Sequence, residues 1–212
     1  LIISDPGVFA AVRKEMPEME IHISTQANNV NWASALFWAE QGAERIILAR
    51  ELSREEIKEI AAKTEGKVEL EYFVHGAMCI SYSGRCLLSN YFVGRDANKG
   101  DCAQSCRWQY HLVEEKRPGE YYPIEENDQG TFIMNSRDLN LAEEIPELIE
   151  LGLSSLKIEG RMKSIHYAAT VVNTYRQLID QYYADPDNFE ADPELLAELR
   201  KISHRDYTKG FY

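Results

Sequence analysis

The sequence predicts an α/β protein built on a parallel sheet, specifically a partial TIM-like (β/α)8 barrel represented by its last five βα units. Three observations carry that reading. Five short apolar runs appear, and between the first four lie segments of helical periodicity. The polar residues of these runs share one alternation phase, as inward-facing positions of a barrel would. The repeat breaks once, after the fourth run, for about sixty residues that hold every cysteine.

The runs are residues 1–4, 20–24, 45–49, 68–74 and 155–158. A helix over 6–16 can start at Pro6, since proline suits the first helical position. The helix over 29–41 places Trp32, Leu36 and Ala35 or Ala39 on one stripe. Ser53 and Glu56 have the spacing of a capping box ahead of Ile57 and Ile60. A sixty-residue interruption is far longer than an ordinary βα loop. Its second half alternates over 109–113, 120–124 and 131–134, which predicts a small antiparallel ribbon. Asn135, Ser136, Arg137 and Asp138 then open a capped short helix running to Leu151, with Gly152 as its stop. A long helix over about 163–183 and a last helix from Asp192 to near His204 complete the chain. The expected units are therefore 1–78 (βα units), 79–135 (Cys-rich insertion with ribbon) and 136–212 (final strand and helices).

Eight βα units close a barrel in about 250 residues. Three would precede Leu1, where the chain opens directly into a strand like a cut through a fold. The competing architecture is an open, doubly wound sheet of five strands, complete as it stands.

With 212 residues, 44% of them hydrophobic, the chain can bury a large core. A net charge of −12 argues against indiscriminate binding to nucleic acid or anionic membrane. Residues 79–110 differ: Arg85, Arg95, Lys99 and Arg107 outnumber Asp96 and Asp101, so this stretch is net positive. An anionic substrate would be drawn there. No apolar run is long enough to span a membrane, and the opening lacks signal-peptide features. Four cysteines without a secretory signal point to reduced thiols in a cytoplasm.

The cysteines are spaced C-x6-C-x15-C-x3-C at Cys79, Cys86, Cys102 and Cys106. Thiolates suit an iron–sulfur cluster or tetrahedral zinc, and this spacing is neither a zinc-ribbon nor a ferredoxin run. Free or disulfide-bonded thiols are the remaining alternative. Alternation along the strands sets Ile21, Ile23, Leu70, Tyr72, Val74, Leu156 and Ile158 toward helices. It sets His22, Ser24, Gln26, Glu71, Phe73, His75, Lys157, Glu159 and Arg161 inward, with Arg50 ending the third strand. Arg50, Lys157 and Arg161, with His22 and Gln26, are candidate binders of carboxylate or phosphate; Glu71, His75 and Glu159 are candidate proton carriers. A structural ion-pair network is the plainer explanation for any one of them. Tyr82, Tyr91 and Trp108 are either ordinary packing residues or a surface on which a base stacks.

Glu71, Phe73, Gly76, Ala77, Met78, Cys79, Gly84, Cys86, Leu88 and Ser89 match, position by position, the signature of peptidase family U32, the collagenase-like proteases. The chain resembles that family throughout. The likeness continues through residues 98–108, 117–120, 135–138, 157–163 and 204–211, and leans toward the bacterial branch associated with transfer RNA hydroxylation. The resemblance implies a TIM-like barrel followed by a small β domain beyond Tyr212, and a 4Fe-4S cluster on Cys79, Cys86, Cys102 and Cys106. It implies oxygen-independent hydroxylation, of a tRNA uridine or another RNA, with prephenate as the anionic co-substrate. The family name implies a peptidase instead, for which His75 with Cys79 is the one tempting dyad. A binding or scaffold protein stabilised by zinc is the third possibility.

Overall fold

A computed structural model describes residues 1–108, 110–123 and 137–212. The first three units follow one another as β1 (Ile2–Ile3), α1 (Pro6–Glu15), β2 (His22–Ile23), α2 (Trp32–Glu40), β3 (Arg45–Ile47) and α3 (Arg54–Thr64). The fourth strand, β4 (Glu69–Ala77), leads into the cysteine-bearing segment. That segment carries α4 (Leu88–Val93) and the paired strands β5 (His111–Leu112) and β6 (Tyr122–Pro123). Then come β7 (Asp138–Asn140), α5 (Ile145–Glu150), β8 (Ser155–Ile158), α6 (Ile165–Ala184), α7 (Pro193–Lys201) and β9 (Tyr207–Thr208).

Helix starts follow the side chains that satisfy their free N–H groups. Asp5 accepts from the Val8 amide at 2.9 Å ahead of Pro6, and Asn31 accepts from Ser34 at 2.9 Å. Because Asn31 is the cap, α2 begins at Trp32 rather than at 29; the preceding Asn29 is buried and its carbonyl accepts from Ala49 at 3.1 Å. Ser53 and Glu56 form the expected capping box.

Five strands run parallel in the order β1, β2, β3, β4, β8. Ile21, Ile23, Ile46, Leu70, Tyr72 and Val74 belong to one buried core with Ile57 and Ile60 of α3 and Val171 and Leu178 of α6. The molecule is thus a mixed α/β fold whose core lies between a parallel sheet and its helices. The end of β4 pairs antiparallel with β7, through His75 with Asn140 and Ala77 with Asp138, and β9 adds to β7 in parallel.

Three expectations need correction. Residues 138–140 are a strand, not the start of a helix. Asp138 is the acceptor for Arg107 and Lys163 and so is not available as a cap, and the helix shrinks to Ile145–Glu150 behind a turn at Ala142–Glu144. The last helix stops at Lys201, and β9 follows. The phase of β4 changes near its end: its pairing with β8 slips between Phe73 and His75. Such a bulge turns the following side chains to the other face. His75 therefore sits with Tyr167 and Tyr175 of α6, not inward beside Glu71 and Phe73. The ribbon is antiparallel at His111 with Pro123 and Leu112 with Tyr122, whereas its third run, 131–134, lies outside the described residues.

Candidate functional site

The parallel strands release their chains at one edge, and four of them contribute there to a single cavity of about 200 Å³. Gln26 follows β2, Arg50 follows β3, Cys79 follows β4, and Glu159 and Arg161 follow β8; all line it, with Cys86, Cys102 and Cys106. The carboxyl edge of a parallel sheet is where α/β folds place ligands, because the loops there vary while the strands hold them in place.

Gly76 makes the convergence of β4 and β8 possible. It has φ +104°, and a Cβ there would lie 2.1 Å from the Glu159 carbonyl oxygen. Glu159 in turn donates its amide to the His75 carbonyl at 2.9 Å. The two strand ends are thereby clamped, and both Cys79 and Glu159, which follow them, line the cavity. Gly84, with φ +74°, leaves room for Gln26, whose amide donates to the Ala97 carbonyl at 3.2 Å.

Two of the four sulfurs are met by N–H donors. Arg50 Nη1 donates to the Ala77 carbonyl at 2.7 Å and lies 3.4 Å from Cys79 Sγ, and the Gln104 amide lies 3.3 Å from Cys102 Sγ. Gln104 achieves this from a left-handed conformation, φ 56°. Burial pushes the Cys106 thiol up; Arg107 opposes that, and the other three cysteines add to it, so the four thiols sense one another. All four are free. Among the described residues, no three His, Cys, Asp or Glu side chains form a group that can hold one metal ion. Zinc needs its thiolates within about 2.3 Å of a single centre. All four thiols line one cavity, and N–H donors to sulfur are a usual second layer of metal–thiolate sites.

The remaining polarity of the cavity is mostly cationic. Arg50 is buried, stacks 3.8 Å over the Phe73 ring, and has no hydrogen-bond partner at Nε. Arg161 donates to the carbonyls of Gly100 and Cys102. Arg107 bonds the Met78 carbonyl at 2.8 Å and Asp138 at 2.8 Å, and thus ties the turn at Cys106 to the chain beside Cys79. The anion is Glu159, whose Oε1 lies 3.4 Å from Gln104 and whose Oε2 is buried without a partner.

Other sequence candidates lie elsewhere. Glu71 is buried one step down the sheet, held by Lys157 at 2.8 Å and Arg45 at 3.7 Å. Lys157 does not line the cavity; its Nζ lies 5.5 Å from the Phe73 ring over which Arg50 stacks. His22 pairs with Glu20 at 2.6 Å. His75 is fully buried, within ring contact of Tyr167, Tyr175 and Tyr207, and burial lowers its pKa to about 4 despite the pull of Asp138. Asp138, Gln104 and Phe73 were not singled out from sequence as functional. Asp138 and Phe73 do belong to motif stretches that carry the family resemblance, and nothing local in the sequence announces that Asp138 would answer Arg107 from 31 residues away.

Fold and site together define an α/β protein with a four-cysteine cavity at the carboxyl edge of its sheet. The chain belongs to peptidase family U32, whose model matches residues 1–212. It is 49% identical over 212 residues to tRNA hydroxylation protein P1 of Bacillus subtilis (strain 168), covering 100% of this chain and 50% of that protein. It is 42% identical over 250 residues to tRNA hydroxylation protein P of Escherichia coli (strain K12), covering 100% and 54%. The chain thus spans about half the length of these relatives. A solved U32 peptidase structure resembles it with a TM-score of 0.40 at 19% identity, over 74% of this chain and 52% of that one. Among the described residues no helix is long and apolar enough to cross a membrane.

Proposed function

We propose that this chain is the cofactor-bearing part of an RNA-hydroxylating enzyme, that Cys79, Cys86, Cys102 and Cys106 hold a 4Fe-4S cluster, and that its substrate is a tRNA uridine. The observation that carries the reading is the meeting of all four thiols at one cavity on the carboxyl edge of the sheet. The names of relatives at 49% and 42% identity supply the RNA and the hydroxylation. A second support is energetic. Between Cys79 and Tyr110, Ala97 is the one buried apolar residue among those described. A stretch that buries so little apolar surface needs another source of stability, such as a bound metal group.

The cluster would supply one-electron redox chemistry at this wall. Arg50 and Arg161 would hold the carboxylates of an anionic co-substrate such as prephenate, since a guanidinium pairs with a carboxylate in bidentate fashion. Glu159, with its unpartnered buried oxygen, is the residue suited to take or return a proton. Glu71 is locked between two cations and His75 is enclosed by tyrosines, so neither is assigned that role. The five parallel strands read as the last five of a (β/α)8 barrel, supported by their sequential order and by the position of the cavity. Four free thiols suit a reducing cytoplasm.

The peptidase reading would need Cys79 beside an oriented base. His75 does not line the cavity, and no other histidine does. Anaerobic purification followed by iron and sulfide analysis tests the proposal. About four of each per chain are expected for a 4Fe-4S cluster, with loss on Cys79→Ser or Cys106→Ser. A colourless, iron-free protein with intact thiols, or one that binds stoichiometric zinc instead, overturns it.

A further inference from the structure

We infer that the aromatic face of the cysteine-bearing segment is a stacking platform for single-stranded RNA, with Tyr91 and Trp108 as its base-contacting rings. The inference rests on the RNA-directed reading above and adds the surface that such a substrate would use. Tyr91 is 81% exposed and Trp108 44% exposed. Ordinary packing residues would be covered; these rings are held in place by each other. Phe92 contacts Tyr91 at 5.1 Å, Tyr110 at 5.6 Å and Trp108 at 6.1 Å between ring centroids, and Trp108 and Tyr110 are tilted only 25° apart. Tyr110 is fixed by donating its hydroxyl to the Ser105 carbonyl at 2.8 Å, next to Cys106. The rings therefore form one cluster, tied through Tyr110 to the turn that carries Cys106.

Charge selects the occupant. Residues 79–110 carry four cations (Arg85, Arg95, Lys99, Arg107) against two anions (Asp96, Asp101), a local +2 within a chain of −12. Lys99 pairs with Asp96 at 2.9 Å, Arg95 with Asp101 at 2.7 Å, and Arg107 with Asp138 outside the segment at 2.8 Å. Arg85 has no ion-pair partner among those found for the described residues, and Arg161 lies against the same segment at Gly100 and Cys102. A polyanion repelled by the rest of the molecule would be accepted here. Unstacked bases would find exposed ring faces, whereas a duplex offers its backbone and hides its base faces.

Binding of a fluorescent single-stranded oligouridine, measured by anisotropy on the full chain purified anaerobically, tests this, with iron content recorded for each preparation. Tyr91→Ala and Trp108→Ala should each weaken binding by roughly five- to a hundredfold, the range expected for loss of one stacked base. Tyr91→Phe should retain affinity, which separates a stacking role from misfolding, and Tyr183→Ala, an exposed ring on α6, should change nothing. A duplex of the same length should bind more weakly than the single strand. Unchanged affinity in both alanine variants with iron retained overturns the platform and leaves the cluster reading standing. Unchanged RNA affinity with an altered oligomeric state on sedimentation overturns it in favour of a protein contact. Iron-free protein that binds no RNA removes the platform together with the reading it rests on.

Discussion

His75 shows how one backbone irregularity reassigns a side chain. Alternation along β4 puts it in the same phase as Glu71 and Phe73, and makes it, with Cys79, the one tempting dyad in the sequence. The bulge after Phe73 moves it to the helix side, where Tyr167, Tyr175 and Tyr207 surround it and its Nδ1 lies 3.4 Å from the Tyr175 hydroxyl. Periodicity cannot foresee a bulge, although Gly76 with its positive φ marks the place where β4 departs from a regular strand. The environment has a measurable consequence. Burial lowers the His75 pKa from 6.5 to about 4; Asp138 pulls it upward, while His204 and Lys163 push it down. The folded protein therefore keeps this ring neutral where the unfolded chain takes up a proton. Its effect on stability is absent above about pH 6.5 and grows as the pH falls toward 4, reaching a loss on the order of 3 kcal/mol. Urea unfolding of the protein and of His75→Phe at pH 7.5, 6.0 and 5.0 measures this. The difference in stability between the two should shift toward the variant as the pH falls, and a pH-independent difference would contradict the assignment.

Elements were legible in the sequence to the extent that a local rule fixes them. The capping box at Ser53 and Glu56, Pro6 at the head of α1, and Ser155–Ile158 as a strand follow from residues within a few positions of one another. β7 did not, because its cause is distant: Asp138 is fully buried and answers Arg107 at 2.8 Å and Lys163 at 3.5 Å, and also accepts the Arg205 amide at 3.2 Å. Burial alone would raise the Asp138 carboxyl, but Arg107, the Arg205 amide and Lys163 outweigh it and hold the pKa below the ordinary value. This carboxylate joins β7, the turn carrying Cys106, the approach to β9 and, through Arg107, the chain at Met78. The same logic separates the site calls. Thiol spacing is a local signal, and all four cysteines line one cavity; a shared inward phase is a weaker one, and it brought Arg50, Arg161, Glu159 and Gln26 to the cavity but left Glu71, Lys157 and His22 outside it. Asp138→Ala strands a mostly buried guanidinium, and a loss on the order of 3 kcal/mol is expected. In a double-mutant cycle with Arg107→Ala the two losses should fall short of additivity by roughly 0.5–3 kcal/mol. Simple additivity in denaturant titrations would show that the two side chains do not act as a unit.

Across the whole molecule, stability is divided unevenly, and the division follows where apolar surface is buried. The parallel sheet and its helices share a continuous core from Ile3 through Leu178 and Leu199. The segment from Cys79 to Tyr110 is held instead by polar ties: Gln26 to Ala97, Ser89 to the Ala103 amide at 2.9 Å, Arg161 to Gly100 and Cys102, and Arg107 to Met78. Individual hydrogen bonds contribute about 1 kcal/mol net, and the segment adds little buried apolar surface to them. The proposed cluster, bound by all four thiols, would add to these ties and couple its own affinity to the folding of this segment. Removing iron with a chelator under reducing, anaerobic conditions should therefore loosen the molecule in one place. Amide hydrogen exchange should accelerate across α4 and the turns carrying Cys102 and Cys106, while β2, β3 and the first half of β4 keep their protection. Protease should then cut between Cys79 and Tyr110 and leave the sheet intact. Unchanged protection of the segment after complete iron removal would mean that the polar ties suffice and the cluster serves chemistry alone; simultaneous loss of protection in the sheet would mean that the two regions fold as one unit.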